Sequence, residues 1–225
     1  MDKVHEVFPL VIYQGSIENH QEHKEKYLED LKSYWFNGYQ NESPECSGRI
    51  FLHKNKKYTP LFQDIKKNID RYFQHLNVDY EKLDYHVIKS WVGCHFTDET
   101  PSIQPHYHNE ANLSFVYYIK TDETSDKFVV QQKVNKNQCV GGLFETAEKH
   151  NLILGFNRYN CDFYRITPVE GSIIIMPSET YHFTQKERER NGERIVVVGD
   201  ITITLKEKYH YYHQGSTHPN QWKKI

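Results

Sequence analysis

Apolar and polar positions divide the chain into a helical part and a strand-rich part. In residues 19–37 and 60–76, apolar residues recur every three or four positions, which is the spacing of an amphipathic helix. From Tyr85 onward, short runs of β-branched and aromatic residues alternate with turn-rich links, a pattern typical of strands. The sequence therefore predicts two helices followed by a set of strands.

The predicted strands together indicate a mostly β domain with flanking helices. Their ranges are 7–13, 86–94, 106–110, 113–120, 127–133, 163–167, 171–177 and 194–205. We expect a double-stranded β-helix, the cupin-like jelly roll, with the N-terminal helices packed on one sheet. The expected single domain comprises a helical support segment, a barrel core with one insertion, and a tail, at 1–84, 85–205 with 131–160 inserted, and 206–225.

Three histidines form a pattern that indicates a metal site. His106 and His108 are two residues apart in a strand-like run, so their side chains should point to the same face. His182 follows an apolar strand that Pro177 and Ser178 end. Imidazole suits iron, copper, nickel and zinc, and three protein ligands leave coordination positions open for a substrate or cosubstrate. We expect these three histidines to be catalytic metal ligands.

Arg194 is predicted to be buried, because it begins the β-branched run of the last strand. A buried guanidinium needs a carboxylate partner, and its planar fork binds carboxylates bidentately. The partner is either a residue of the chain or a dicarboxylate ligand. Arg188 and Arg190 are weaker candidates for such a clamp, since they lie in a charged turn, 185–193, that is expected to be solvated.

These segments resemble the iron(II)- and 2-oxoglutarate-dependent oxygenases, in particular a family common in phage and marine bacterial genomes, and more distantly the prolyl hydroxylases. The resemblance covers most of the chain and is carried by His106-x-His108, the run 113–118, and the stretch from Met176 through His182 to Arg194. It implies Fe(II) and 2-oxoglutarate as cofactors. It also implies cosubstrate-binding roles at the far carboxylate of 2-oxoglutarate or in its pocket for Arg194, Tyr118 and Ser114.

Position 108 departs from the wider superfamily, in which Asp or Glu stands two residues after the first histidine. Three interpretations are open: a three-histidine site, a two-histidine site with His108 nearby, or a shifted triad of His108, Glu110 and His182. We favour the first, because the family most resembled also has His-x-His. An imidazole in place of a carboxylate removes one negative charge from the ligand set, which should weaken iron(II) binding.

The resemblance implies a hydroxylase that uses molecular oxygen and releases succinate and carbon dioxide. Its substrate, a small molecule or a peptide, is not identified by the sequence. Two other functions fit the residues. One is a cupin-like three-histidine dioxygenase that does not use 2-oxoglutarate, and the other is a non-catalytic barrel that serves as a binding module.

Charge and cysteine content limit the partners and the location. The 28 basic and 30 acidic residues nearly cancel, so no nucleic-acid or membrane partner is expected. The N-terminus lacks an apolar signal core, and the four cysteines are widely spaced, so we expect a cytoplasmic protein. The histidine-rich tail is expected to pack on the surface or to contact another subunit.

Four further features concern the surroundings of the site. The insertion 131–160 is long for a barrel connection and is interpreted as a substrate lid or a structural insertion. Trp91 and Tyr107 are expected to form pocket walls. His95 is expected to lie near solvent and is not counted as a site residue.

Overall fold

Strands pair into two antiparallel sheets in the computed structural model, which describes residues 2–3, 5–40, 51–95, 102–132, 137–138, 153–212 and 217–225. The strands are β1 Tyr13–Ser16, β2 Leu83–His95, β3 Leu113–Lys120, β4 Lys127–Gln131, β5 Phe163–Ile166, β6 Ser172–Pro177, β7 His182–Gln185 and β8 Arg194–Leu205. The larger sheet has the order β1-β6-β3-β8-β2, and the smaller sheet has the order β5-β4-β7.

The two sheets enclose an apolar interior. Alternate residues of β3, among them Val116 and Tyr118, point between the sheets and pack with Val196 of β8 and with Phe128 and Val130 of β4. This arrangement follows from strand geometry, because every second residue of a strand faces the same side. Tyr118 and His182, two of the candidate site residues, are buried in this region.

Two helices cover the outer face of the larger sheet. They are α1, His20–Gln40, and α2, Thr59–His75, which begins with Pro60 in its first turn. The apolar stripe of α2, including Leu61, Ile65 and Ile69, is buried against the β3 residues that face away from the interior. The prediction of two amphipathic helices ahead of the strands is therefore confirmed. None of the helices in the described ranges is long and apolar enough to cross a membrane.

Two predicted strands are wrong in position. Residues 7–13 were expected to be a strand, but β1 is Tyr13–Ser16, where the backbone pairs with Ser172 to Ile175 of β6. Phe8 is instead 93% exposed with a positive φ of 58°. Residues 106–110 were also expected to be a strand, but there only His106 forms a bridge, to His182, and Asn109 begins a turn.

Strand β7 was not predicted, because its residues, His182–Gln185, are mostly polar. It pairs with β4, whose sequence was recognised. Of the predicted insertion, residues 133–136 and 139–152 lie outside the described residues. Of the tail, 213–216 lie outside them. Beyond that gap, the His218 ring lies 3.3 Å from Asp84 of β2, so this part of the tail packs on the barrel.

Candidate metal centre

Backbone pairing places two of the predicted ligands side by side. The N–H of His106 donates to the carbonyl of His182 at 3.0 Å, and the N–H of His182 donates to the carbonyl of His106 at 2.9 Å. The N–H of His108 donates to the carbonyl of Ser178 at 2.9 Å, in the turn between β6 and β7. The ligand segment is thus anchored to both ends of that turn.

The three rings converge on one point. One ring nitrogen from each of His106, His108 and His182 lies within 4.8 Å of the others. A metal–imidazole bond is about 2.1 Å long, so small rotations of the rings allow all three to bind one ion. Among the described residues, no other group of three histidine, cysteine or acidic side chains has this spacing.

Each ring has its Nδ1 atom held by an oxygen, which leaves Nε2 for the metal. His106 and His182 use the backbone carbonyls of Gln104 and Thr180, both at 2.8 Å. His108 Nδ1 lies 2.7 Å from the carboxylate of Asp200, and its Nε2 is buried with no hydrogen-bond partner among the residues described. Metal-bound histidines in proteins are oriented by the same kind of second hydrogen bond.

Burial keeps these imidazoles in the form that binds a metal. It lowers the pKa of His182 to about 4 and also lowers the pKa of His106. Both rings are therefore neutral at neutral pH, and a neutral imidazole is the metal ligand. No proton has to be removed from either ring before an ion binds.

The structure disfavours one of the three interpretations of the ligand set, the shifted triad. Glu110 is exposed and its carboxylate lies 2.6 Å from the Lys89 amine, so Glu110 does not join the cluster. His108 does join it. The arrangement therefore matches the three-histidine interpretation and not the shifted triad.

Arg194 lies in a pocket that suits a carboxylate. It is 3% exposed, its guanidinium carbon lies 5.4 Å from the centre of the Tyr118 ring, and no carboxylate in the described ranges pairs with it. Arg194 Nε and Tyr118 Oη are both buried, and neither has a hydrogen-bond partner among the described residues. Burial also raises the pKa of Tyr118, so its hydroxyl remains a donor. Two buried donors without acceptors fit an added carboxylate.

Ser114 lies with Asp200 and not beside Arg194. Its hydroxyl donates to Asp200 Oδ1 at 2.8 Å. Ser114 is therefore connected to the metal site through Asp200 and His108. Asp200 was not predicted, although an acidic residue within the apolar run of β8 was a visible signal.

His95 was expected near solvent, and this prediction is wrong. It is the last residue of β2, is 5% exposed, and is the cross-strand partner of Arg194. Burial, together with the positive charges of Arg194 and Arg190, lowers the pKa of His95 to about 4. A neutral imidazole thus lies beside the arginine pocket, and its buried Nδ1 has no hydrogen-bond partner in the part of the chain that the structure describes.

Arg190 was expected to be solvated in a turn, and this prediction is also wrong. It is buried and binds Asp126 bidentately, through Nε at 2.6 Å and Nη2 at 2.7 Å. The Ser102 hydroxyl, which donates to Asp126 at 2.7 Å, adds to this pair. Because the fork of Arg190 is used within the protein, Arg194 is the better candidate for a carboxylate clamp. Arg188 is exposed.

Aromatic side chains line the site. The Trp91 ring is stacked on His108, with centroids 5.8 Å apart and planes 17° apart. Phe128 is stacked on His182 in the same way, with centroids 5.2 Å apart. Trp91 is therefore a wall of the site, as expected. Tyr107 is 40% exposed and lies 6.1 Å from Tyr181, at the outer edge.

The sequence of this region matches a known family. Residues 89–200 match the family model described as "Putative 2OG-Fe(II) oxygenase". This region belongs to that family. The 2OG-Fe(II) oxygenase region contains the three histidines together with Ser114, Tyr118 and Arg194. The predicted family is confirmed, and with it an oxygenase whose cofactors are iron(II) and 2-oxoglutarate.

The folds of two solved structures, AviO1 and ThoJ, confirm the jelly roll. AviO1 from Streptomyces viridochromogenes has 8% identity over 86% of this chain and 90% of its own, with a TM-score of 0.53. The nickel complex of ThoJ, a non-heme monooxygenase, has 9% identity over 88% and 75%, also with a TM-score of 0.53. A Pseudomonas putida prolyl-4-hydroxylase has 11% identity over 86% and 88%, with a TM-score of 0.47. No curated protein matches the sequence.

Proposed function

We propose that the protein is an iron(II)- and 2-oxoglutarate-dependent dioxygenase that hydroxylates a small molecule or a peptide with molecular oxygen. The observation that carries this proposal is the pairing of two sites in one barrel. One is a cluster of three histidines that could hold a metal ion, and the other is the buried Arg194, which pairs with no carboxylate of the residues that the structure describes. The family of residues 89–200 supports the same function.

The three histidines would hold the iron. His106 and His182 are fixed by their mutual backbone hydrogen bonds, and His108 is fixed by Asp200. Such fixation reduces the reorganisation needed when the ion binds. Three protein ligands leave positions for a chelating keto acid and for oxygen. When bound, iron and 2-oxoglutarate supply the oxidative chemistry that inserts one oxygen atom into the substrate and releases succinate and carbon dioxide.

Arg194 and Tyr118 would hold the other end of 2-oxoglutarate. The guanidinium and the phenol can each donate a hydrogen bond to its distal carboxylate, and both lie in the dry interior, where charge-assisted hydrogen bonds are strong. The neutral ring of His95 borders the same pocket without adding a second positive charge. These side chains would therefore orient the cosubstrate and exclude water around it.

A second function is favoured by the ligand set. Three neutral imidazoles bring no negative charge to the metal, which also suits a cupin-like dioxygenase that binds its substrate directly and does not use 2-oxoglutarate. In that case Arg194 would recognise the substrate. The two functions differ in whether 2-oxoglutarate is consumed.

Succinate formation tests the proposal. The protein is loaded anaerobically with iron(II), exposed to air with 2-oxoglutarate, and succinate is followed by NMR. We expect slow succinate formation without substrate, abolished in His182→Ala. Oxygen uptake without 2-oxoglutarate, with no succinate, would support the three-histidine dioxygenase instead. Full metal occupancy with neither reaction would point to a non-catalytic binding module.

The location that we propose is the cytoplasm. Cys94 is a buried free thiol, and burial raises its pKa to about 12, so it is unreactive. Cys161 is also free. Free thiols are typical of a reducing compartment. Cys46 and Cys139 lie outside the described residues.

A further inference from the structure

A buried chain of polar contacts leads from β3 to one proposed metal ligand. The Ser114 hydroxyl donates to Asp200 Oδ1 at 2.8 Å, and His108 Nδ1 lies 2.7 Å from the same oxygen. Ser114 is 1% exposed and Asp200 is 4% exposed. Ser114 and Asp200 are cross-strand partners of β3 and β8, so the sheet itself fixes their contact.

This chain distinguishes His108 from the other two ligands. The Nδ1 atoms of His106 and His182 lie at neutral backbone carbonyls, whereas Nδ1 of His108 lies at a carboxylate. Burying a carboxylate is costly unless it gains charged or strong hydrogen-bonding partners. Asp200 is nevertheless buried, and its carboxylate lies next to the His108 ring, on the side of Nδ1.

The charge of a bound divalent ion would explain why a carboxylate is buried at position 200. Three neutral imidazoles do not offset the charge of a divalent ion. A carboxylate that accepts the Nδ1 proton of a ligand histidine makes that ring a stronger donor through Nε2. The Trp91 ring stacked on His108 covers one face of it, which fixes the plane in which this donor acts.

We propose that Asp200 is a positioning residue that supplies the negative charge of the metal centre through His108. Asp200 holds the Nδ1 proton, directs Nε2 of His108 at the ion, and raises the affinity of the centre for a divalent metal. Ser114 fixes the carboxylate oxygen that His108 uses. This inference rests on the proposed metal site.

The test compares variants by their metal affinity and their spectra. Asp200→Asn retains the shape of the side chain and an accepting oxygen but removes its charge. We expect its dissociation constants for Co(II) and Fe(II) to rise about 10- to 100-fold, the usual effect of altering a carboxylate that orients a metal-bound histidine. The visible d–d bands of the Co(II) protein should also shift, which loss of stability alone would not cause.

A matched control removes the same charge nearby. Glu110→Gln neutralises an exposed carboxylate two residues from His108 that does not contact the ring. We expect its Co(II) affinity and spectrum to equal those of the wild type. Equal weakening in Glu110→Gln and Asp200→Asn would indicate a general electrostatic effect and would overturn the proposal.

A double variant separates positioning from a structural role. If Asp200 acts through His108, the double variant that carries both Asp200→Asn and His108→Ala should bind Co(II) with the same affinity as the single variant His108→Ala. Additive losses in the double variant would overturn the proposal. Should Asp200→Asn fail to fold, as judged by circular dichroism, Ser114→Ala replaces it. Ser114→Ala should weaken Co(II) binding by a smaller factor, and wild-type affinity and spectrum would count against the proposal.

Metal binding by the wild-type protein distinguishes a failure of the proposed metal site from a failure of the proposed role of Asp200. If it binds neither Co(II) nor Fe(II), the proposed metal site itself fails. If it binds both ions and Asp200→Asn binds them equally well with the same spectrum, only the role of Asp200 fails.

Discussion

His106 and His182 are joined through their backbones, since the N–H of each donates to the carbonyl of the other, at 3.0 and 2.9 Å. Their rings lie 4.4 Å apart between centroids. The two residues are far apart in sequence, so their contact is a product of the fold. It places two proposed ligands together before any ion binds, which is the preorganisation that a metal site requires.

The ligand set predicts which substitutions abolish metal binding. His106→Ala and His182→Ala each remove one of the three converging nitrogens, so we expect Co(II) binding to fall below one equivalent per chain at micromolar metal. Glu110→Gln should retain one equivalent, because Glu110 pairs with Lys89 outside the cluster. The number of Co(II) equivalents that each variant retains after dialysis is measured by metal analysis. Loss of metal from Glu110→Gln would instead support the shifted triad of His108, Glu110 and His182.

Arg194→Ala should weaken 2-oxoglutarate binding without releasing the metal. Removing a charge-assisted hydrogen-bond donor from a buried carboxylate costs about 1.5–3 kcal/mol, which corresponds to about 10- to 150-fold in affinity. Calorimetric titration of the Co(II)-loaded protein measures the change. Arg188→Ala, a substitution of an exposed arginine in the preceding turn, is the control and should bind 2-oxoglutarate as the wild type does. Equal affinities for Arg194→Ala and wild type would remove Arg194 from the cosubstrate site.

Asp126→Asn should destabilise the fold strongly. Asp126 and Arg190 form a bidentate pair with both side chains almost completely buried. Breaking such a pair leaves an uncompensated buried charge and costs about 3–5 kcal/mol. Urea unfolding measures the free energy. The control, Glu187→Gln, alters an exposed carboxylate 3.9 Å from Lys127 and should cost under about 1 kcal/mol. Similar small costs for both variants would contradict the buried pair.

The metal-free protein should lose stability as the pH falls from about 6.5 to about 4. His95 has a folded pKa of about 4, below its ordinary value of 6.5, so its contribution is fully present above 6.5 and is lost as the pH falls towards 4. Each pKa unit corresponds to about 1.4 kcal/mol, so protonation of His95 should lower the free energy of unfolding by about 3 kcal/mol. His182 adds a loss of the same sign.

Substitution of His95 checks the assignment of this pH dependence. His95→Gln should show a smaller decrease in the free energy of unfolding between pH 6.5 and pH 4 than the wild type does. His5→Gln, at an exposed position, should follow the wild type. A slope in His95→Gln as steep as that of the wild type would show that the ring is not buried in its neutral form.

Elements defined by local patterns could be predicted from the sequence. The strands at 113–120 and 194–205 were placed with the bounds that the structure has, because their β-branched and aromatic runs are continuous. Both helices were found from their three- and four-residue spacing. The clustering of His106, His108 and His182 was also predicted, because spacing and the resemblance to the oxygenases pointed to the same residues.

Features that depend on distant partners could not be predicted. The apolar residues near Phe8 suggested a strand, but pairing with β6 decides its position and places it at Tyr13–Ser16. The charged run around Arg190 suggested a solvated turn. Its burial depends on Asp126, which is 64 residues away in the chain and carries no local signal. The same holds for His95, whose burial follows from its cross-strand partner Arg194.

The proposed function depends most directly on whether iron in the three-histidine cluster chelates 2-oxoglutarate. Anaerobic titration of the iron(II)-loaded protein with 2-oxoglutarate, followed by visible absorption, tests this. We predict a weak charge-transfer band that saturates at one equivalent and is absent in His182→Ala. No band in a protein that demonstrably holds one equivalent of iron(II) would contradict the assignment of 2-oxoglutarate as cosubstrate.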